Sequence, residues 1–273
     1  MTNDVLADFN VKTSGEGSRP MLFAHGLGCD QNVWLNVAPA FQDNYKLIFF
    51  DYIGSGKANN SKFNKEKYQS LNGYADDVLA ICDALKLSNV TLIAHSISSM
   101  IGLLAAIKRP EVFSSIVMIG PSPCYMNIPP YFGGFNKEDI HQILDLMKEK
   151  YTQWDSFFAP QAVGNPDRPQ FAEKVENSFC TCDPEITYEF ARSTFLSDSR
   201  ADLCKLTVPT LIMQSSEDIV APIEVGEYLH KNISGSTIVY MNATGHFPHL
   251  TAVDETIKLI KEYLCKNVQE PKL

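Results

Sequence analysis

The chain has 273 residues, 45% of them hydrophobic, and a formal net charge of -9 at pH 7. That length allows one large domain with an insertion, or two small ones, around a sizeable core. The negative balance speaks against nucleic acid or anionic membrane as a partner, because both require clustered cations.

From the start, Met1 to Asn10 contains Asp4 and Asp8 and has neither a basic start nor an apolar stretch, so no signal peptide is expected. Met21-Leu22-Phe23 reads as the first buried strand, followed by the loop Ala24-His25-Gly26-Leu27-Gly28. Lys46 to Phe50 reads as the second. It ends on Asp51 and the turn Tyr52-Ile53-Gly54-Ser55-Gly56, a loop that Asp51 is placed to fix. Within Tyr74 to Leu85, the residues Val78, Cys82 and Leu85 recur at helical spacing and leave Asp76, Asp77 and Asp83 for the wet face.

The most informative stretch is Val90 to Ser99. A β-branched run ends on Ala94-His95-Ser96-Ile97-Ser98, a small-x-Ser-x-small pentapeptide, and an apolar helical segment runs from Met100 to Lys108. Strand, sharp turn and helix in that order are what a nucleophile elbow requires. Ala94 and Ser98 stand where glycine is usual, so the pentapeptide alone also fits an ordinary strand-to-helix turn. His95 is expected to point away from Ser96 and to be structural. The longest apolar run, Met100 to Ile107, is too short to span a bilayer.

Ser115 to Ile119 reads as another strand, and then the alternation breaks between Tyr125 and Ala201. After Pro121, Pro123, Pro129 and Pro130 come helical patterns alone: Asn136 to Lys150, Tyr151 to Ala159, Pro169 to Phe179 and Pro184 to Phe195. An all-helical insert in an α/β chain reads as a lid, here residues 125–201, over a core of 1–124 and 202–273. Most lid aromatics are expected to pack lid against core. The candidates to face a ligand are Phe135, Trp154, Phe158, Phe190 and Phe195, with Cys124 at the lid's start.

Strands resume at Thr210 to Gln214 and Thr237 to Met241, and the last helix places Val253, Ile257, Ile260 and Leu264 on one stripe. The tail from Asn267 to Leu273 is expected to fray. The continuous apolar strands suit a mostly parallel sheet flanked by helices. Seven scattered cysteines fit free thiols in a reducing cytoplasm. Cys180-x-Cys182 has no second cysteine pair or histidine nearby at zinc spacing, and His246 and His249, a pair of ligands in principle, have no acidic helix around them as in a zincin, so no metal and no cofactor is expected.

A serine hydroxyl needs an oriented base to act as a nucleophile. The partners expected after an elbow serine are an acid and then a histidine, each in the loop after a parallel strand. Ser215-Ser216-Glu217-Asp218 supplies the acid, with Asp218 first and Glu217 as the alternative. Asn242-Ala243-Thr244-Gly245-His246-Phe247-Pro248-His249 supplies the base, with His246 first and His249 as the alternative. The oxyanion donors are assigned to the backbone N–H groups of Ile97, directly after the nucleophile, and Leu27. Ser96, Asp218 and His246 in this order read as the triad of an α/β-hydrolase fold.

Several segments then resemble one branch of that superfamily. They are His25 to Trp34, Phe50 to Gly56, Tyr74 to Val78, Gly120 to Tyr125, Asn165-Pro166-Asp167-Arg168-Pro169 and Asp254 to Ile257. The branch holds the bacterial stress regulators of the RsbQ type and the plant strigolactone and karrikin receptors. The Pro-Ser-Pro-Cys-Tyr run and the Asn-Pro-Asp-Arg-Pro run are closer to the bacterial regulators. The resemblance implies a four-helix lid and catalytic roles for Ser96, Asp218 and His246. It also implies a cytoplasmic positive regulator of a sigma-B-type general stress response, making or delivering a small apolar molecule to a phosphatase with a PAS domain. The alternative is a metabolic carboxylesterase or lactone hydrolase with no signalling role. Leu27 stands where relatives carry Phe, which is expected to widen the pocket mouth.

Overall fold

The computed structural model describes residues 2–267, without the side chains of Thr2, Asn3, Thr152, Asp155 and Cys180. In chain order the chain forms α1 (Thr2–Asp8), β1 (Lys12–Ser14), β2 (Arg19–Ala24), β3 (Tyr45–Phe49), α2 (Leu71–Ala84), β4 (Val90–His95), α3 (Ser98–Lys108) and β5 (Phe113–Ile119). Then come α4 (Lys137–Glu149), α5 (Tyr151–Val163), α6 (Gln170–Cys180) and α7 (Pro184–Phe195) with no strand between them. The second part of the core follows as β6 (Thr210–Glu217), α8 (Ile223–Asn232), β7 (Thr237–Thr244), α9 (Pro248–Thr251) and α10 (Val253–Asn267).

The strands form one sheet in the order β1-β3-β2-β4-β5-β6-β7, with β1 antiparallel to β3 and every other pair parallel. All six positions of β4 are buried, as expected for a central parallel strand covered on both faces. The short exposed edge strand β1 gives no apolar signal, and the sequence reading missed it.

In the lid, α4 starts with a capping box between Asn136 and Asp139, and the Asp183 carboxylate accepts from Glu185 N and Ile186 N at the start of α7. Helix α5 does not stop before Pro160, as the sequence suggested. It runs one turn further and ends on Gly164, whose φ of 62° closes it in the left-handed conformation. Lid and core meet ring to ring: Phe190 of α7 stacks on Tyr74 of α2 at 4.4 Å and 23°. Among the described residues no helix is long and apolar enough to cross a membrane. Asn267 closes α10, and the rest of the tail expected to fray lies outside the described residues.

Candidate active site

Between β4 and α3 only Ser96 and Ile97 are left to make the turn. Ser96 holds φ 56°, a region that residues other than glycine seldom enter. Its N–H donates to Ile119 O at 2.8 Å, which anchors the turn to β5. Helix α3 lies hard against the sheet, since a Cβ on Gly102 would come within 2.4 Å of Leu92 Cδ2. At the two positions where glycine is usual, the substitutes fit. Ala94 is fully buried and its pairing with Ala24 and Met118 is unbroken. The Ser98 hydroxyl donates to His25 O and lies 3.0 Å from the Tyr52 hydroxyl, tying the elbow to the loops after β2 and β3.

Those loops are fixed in turn. His25 Nε2 accepts from Tyr52 N at 3.1 Å, so its proton sits on Nδ1, 2.9 Å from Gly26 O. Asp51 accepts from Gln31 N at 2.8 Å and Lys57 N at 3.0 Å and holds its loop, away from the serine.

The strand-end loops of β6 and β7 deliver the partners. His246 Nδ1 lies 2.7 Å from Asp218 Oδ2, and His246 Nε2 lies 2.8 Å from Ser96 Oγ. A carboxylate only accepts, so Nδ1 bears the proton and Nε2 is left to accept from the serine. The other Asp218 oxygen accepts from Val220 N at 2.8 Å and Ala221 N at 3.0 Å, which fixes the carboxylate. Glu217 is exposed; its carbonyl accepts from Gly245 N at 2.6 Å. His249 is fully buried behind His95, with ring centroids 4.4 Å apart, and does not reach Ser96. Burial, with His246 and Lys174 adding to it, pushes the His249 imidazole down to about 3.

The base is held from two further sides. His95 Nε2 donates to His246 O at 2.8 Å, since a carbonyl can only accept. From the lid, Ala162 O accepts from His246 N at 2.7 Å. Asn165 Nδ2 donates to Val163 O at 2.7 Å and to Thr244 O at 3.2 Å, and Arg168 Nη1 to Thr251 O at 2.8 Å. The Asn-Pro-Asp-Arg-Pro run is therefore a strap between lid and base loop.

Over Ser96 lies a cavity of about 20 Å³, roughly the room one water needs. Leu27, Phe158 and Phe195 line it. Ile97 follows Ser96 directly as the N-terminal cap of α3. Four expected lining residues do not line the cavity. Trp154 is stacked behind Phe158 at 5.1 Å and 14° and meets Phe179 edge-on at 4.8 Å. Phe190 turns to Tyr74, and Phe135 lies behind Phe195 at 6.1 Å. Cys124 points its Sγ at Met126 O, 3.7 Å away, and the next residue along takes the wall instead.

That residue is Tyr125, which the sequence reading missed together with Thr194, Val220 and Phe247. The Tyr125 hydroxyl is 3.5 Å from Ser96 Oγ, and burial pushes its phenol upward so that it stays protonated. Tyr125, Val220 and Phe247 all sit in loops at the carboxyl ends of strands, a positional signal that sequence could have supplied. Thr194, inside a lid helix, has none.

The family model described as the alpha/beta hydrolase fold matches residues 19–253. A karrikin insensitive 2 receptor from Petunia hybrida is 37% identical over 259 residues, covering 94% of this chain and 94% of that protein. A strigolactone esterase from Arabidopsis thaliana is 35% identical, covering 96% and 98%. Among solved structures, a hydrolase from Oleispira antarctica superposes with a TM-score of 0.95 at 39% identity, covering 97% of this chain and 98% of its own.

Proposed function

The chain belongs to the alpha/beta hydrolase family and is a hydrolase, and on that premise we propose that it cleaves small uncharged esters or lactones through an acyl-Ser96 intermediate. The observation that carries this reading is the unbroken series Asp218–His246–Ser96 at 2.7 and 2.8 Å beneath a largely apolar cavity. As Ser96 Oγ attacks the carbonyl carbon, its proton passes to His246 Nε2, and Asp218 stabilises the imidazolium. The carbonyl oxygen becomes the oxyanion, held by the N–H groups of Ile97 and Leu27. His246 then returns the proton to the leaving oxygen. Water repeats the sequence on the acyl-enzyme to release the acid and restore Ser96. The lining contains no lysine or arginine, which favours uncharged substrates, and its small volume favours short acyl groups. Hydrolysis of 4-nitrophenyl acetate tests the reading: Ser96→Ala should lower kcat by about 10⁴-fold or more. Turnover at the wild-type rate in that variant would sink it.

A second reading is favoured by the receptor relatives from Petunia hybrida: the chemistry serves a signal. In it the chain is a cytoplasmic RsbQ-type positive regulator of a sigma-B-type stress response. It acts with a PAS-domain phosphatase through a small apolar molecule. A stress-reporter strain lacking its own copy, complemented with wild type or Ser96→Ala, separates the readings. Activation by wild type alone supports the signalling role. No activation by wild type, with brisk turnover in vitro, leaves a metabolic hydrolase.

A further inference from the structure

Two polar atoms on cavity-lining residues have no counterpart in the protein, His95 Nδ1 and Thr194 Oγ1. Of these the hydroxyl alone can donate, because His95 carries its proton on Nε2 toward His246 O. Thr194, in the last turn of α7, is 2% exposed and lines the cavity with Ser96 and Phe195. Its Oγ1 has no hydrogen-bond partner among the described residues. Neighbouring hydroxyls on the same stretch are differently placed. Ser193 Oγ makes the backward bond usual for a helical hydroxyl, 3.0 Å from both Glu189 O and Phe190 O. Ser197 Oγ donates to Thr194 O at 2.7 Å. A buried hydroxyl without a partner costs stability, whereas an apolar group of the same shape would form this wall freely.

We propose that Thr194 is a specificity-determining residue whose hydroxyl donates to a second oxygen of the substrate. The preferred ligand is then a small uncharged ester or lactone with an ether, hydroxyl or carbonyl oxygen close to the scissile carbonyl. This rests on the ester-hydrolase reading above. No other group in the wall is placed to serve that oxygen. Leu27, Phe158, Phe195, Val220 and Phe247 are apolar, Ser96 and His246 are engaged with each other at 2.8 Å, and His95 spends its one proton on His246 O, which leaves its Nδ1 an acceptor. Tyr125 already reaches toward Ser96 Oγ. A site built to hydrogen-bond a substrate oxygen discriminates against the analogue that lacks it, because the site's own polar group is left unpaired.

The test uses 4-nitrophenyl methoxyacetate and 4-nitrophenyl butyrate, which differ by an ether oxygen in place of one methylene. The kcat/KM ratio of the first to the second is measured for wild type, Thr194→Val and Thr194→Ser. Comparing ratios between proteins cancels the greater intrinsic reactivity of the alkoxy ester. The wild-type ratio is expected to exceed that of Thr194→Val by about tenfold, with Thr194→Ser recovering most of the difference. Equal ratios in wild type and Thr194→Val overturn the proposal. A second measurement is independent of turnover. Methyl methoxyacetate should raise the melting temperature of Ser96→Ala more than methyl butyrate does, and this preference should vanish in Ser96→Ala/Thr194→Val. Equal shifts by both esters in Ser96→Ala overturn the proposal. Selective shifts without ester turnover by any variant would overturn the hydrolase reading and uphold the role of Thr194.

Discussion

Gly245 shows how much of the site depends on single backbone positions. It holds φ 83°, and a Cβ there would lie 1.9 Å from Val163 O at the end of α5. The next residue is His246, whose N–H donates to Ala162 O at 2.7 Å. Glycine therefore permits both the turn that swings the base inward and the close approach of the lid that clamps it. Gly245→Ala should move His246 away from Ser96. A displacement on the order of 1 Å costs about 10²-fold in rate, so kcat for 4-nitrophenyl acetate should fall by about that much while the far-ultraviolet circular dichroism stays native. Activity near wild type would show that the base does not rely on this contact.

At the level of elements, α7 serves two purposes at successive turns. Its last two residues, Thr194 and Phe195, line the cavity, and one turn earlier Phe190 stacks on Tyr74 and lies 5.5 Å from Tyr52. Phe190→Ala should therefore act on stability, at about 3–5 kcal/mol, read from urea unfolding. The relative rates on acetyl, propionyl and butyryl esters should stay as in wild type. A changed chain-length preference with unchanged stability would return Phe190 to the pocket. The elements around the site were legible because strand, turn and helix each leave a local mark: β4 by its apolar run, Ser96 by its small neighbours, Asp218 and His246 by their places after β6 and β7. Which lid ring faces the ligand was not legible. Trp154 and Phe158 lie four apart on one helix and present similar composition, yet one stacks behind the other. That order is set by Phe179 of α6, a tertiary contact with no local signature. Thr194 was illegible for the same reason, and β1 because an exposed three-residue edge needs no apolar pattern.

For the whole molecule, buried histidines make acid stability a readable property. Burial is the leading cause that lowers the imidazoles of His25, His95 and His249, the last from 6.5 to about 3. The unfolded chain takes up these protons below pH 6.5 and the folded chain does not, so stability present above pH 6.5 is lost as pH falls toward 3. Asp77 opposes this. Burial raises its carboxyl from 3.8 to about 6 despite the Lys67 and Tyr68 contacts, so its contribution grows as pH falls from 6 to 3.8. Three groups against one leave a net loss. Urea unfolding should show lower stability at pH 4.5 than at pH 6.5, with His249 alone contributing about 1.4 kcal/mol per pH unit, and His249→Phe should flatten the slope. Stability that is level or rises toward pH 4.5 would contradict this balance. Fold, lid and loops converge to make Ser96 a nucleophile. The most direct measurement of this is the mass and peptide map of the protein after treatment with phenylmethylsulfonyl fluoride. The account predicts a single sulfonyl adduct on the peptide containing Ser96, formed far more slowly in His246→Ala. An adduct on another serine, or continued ester hydrolysis with Ser96 fully modified, would contradict it.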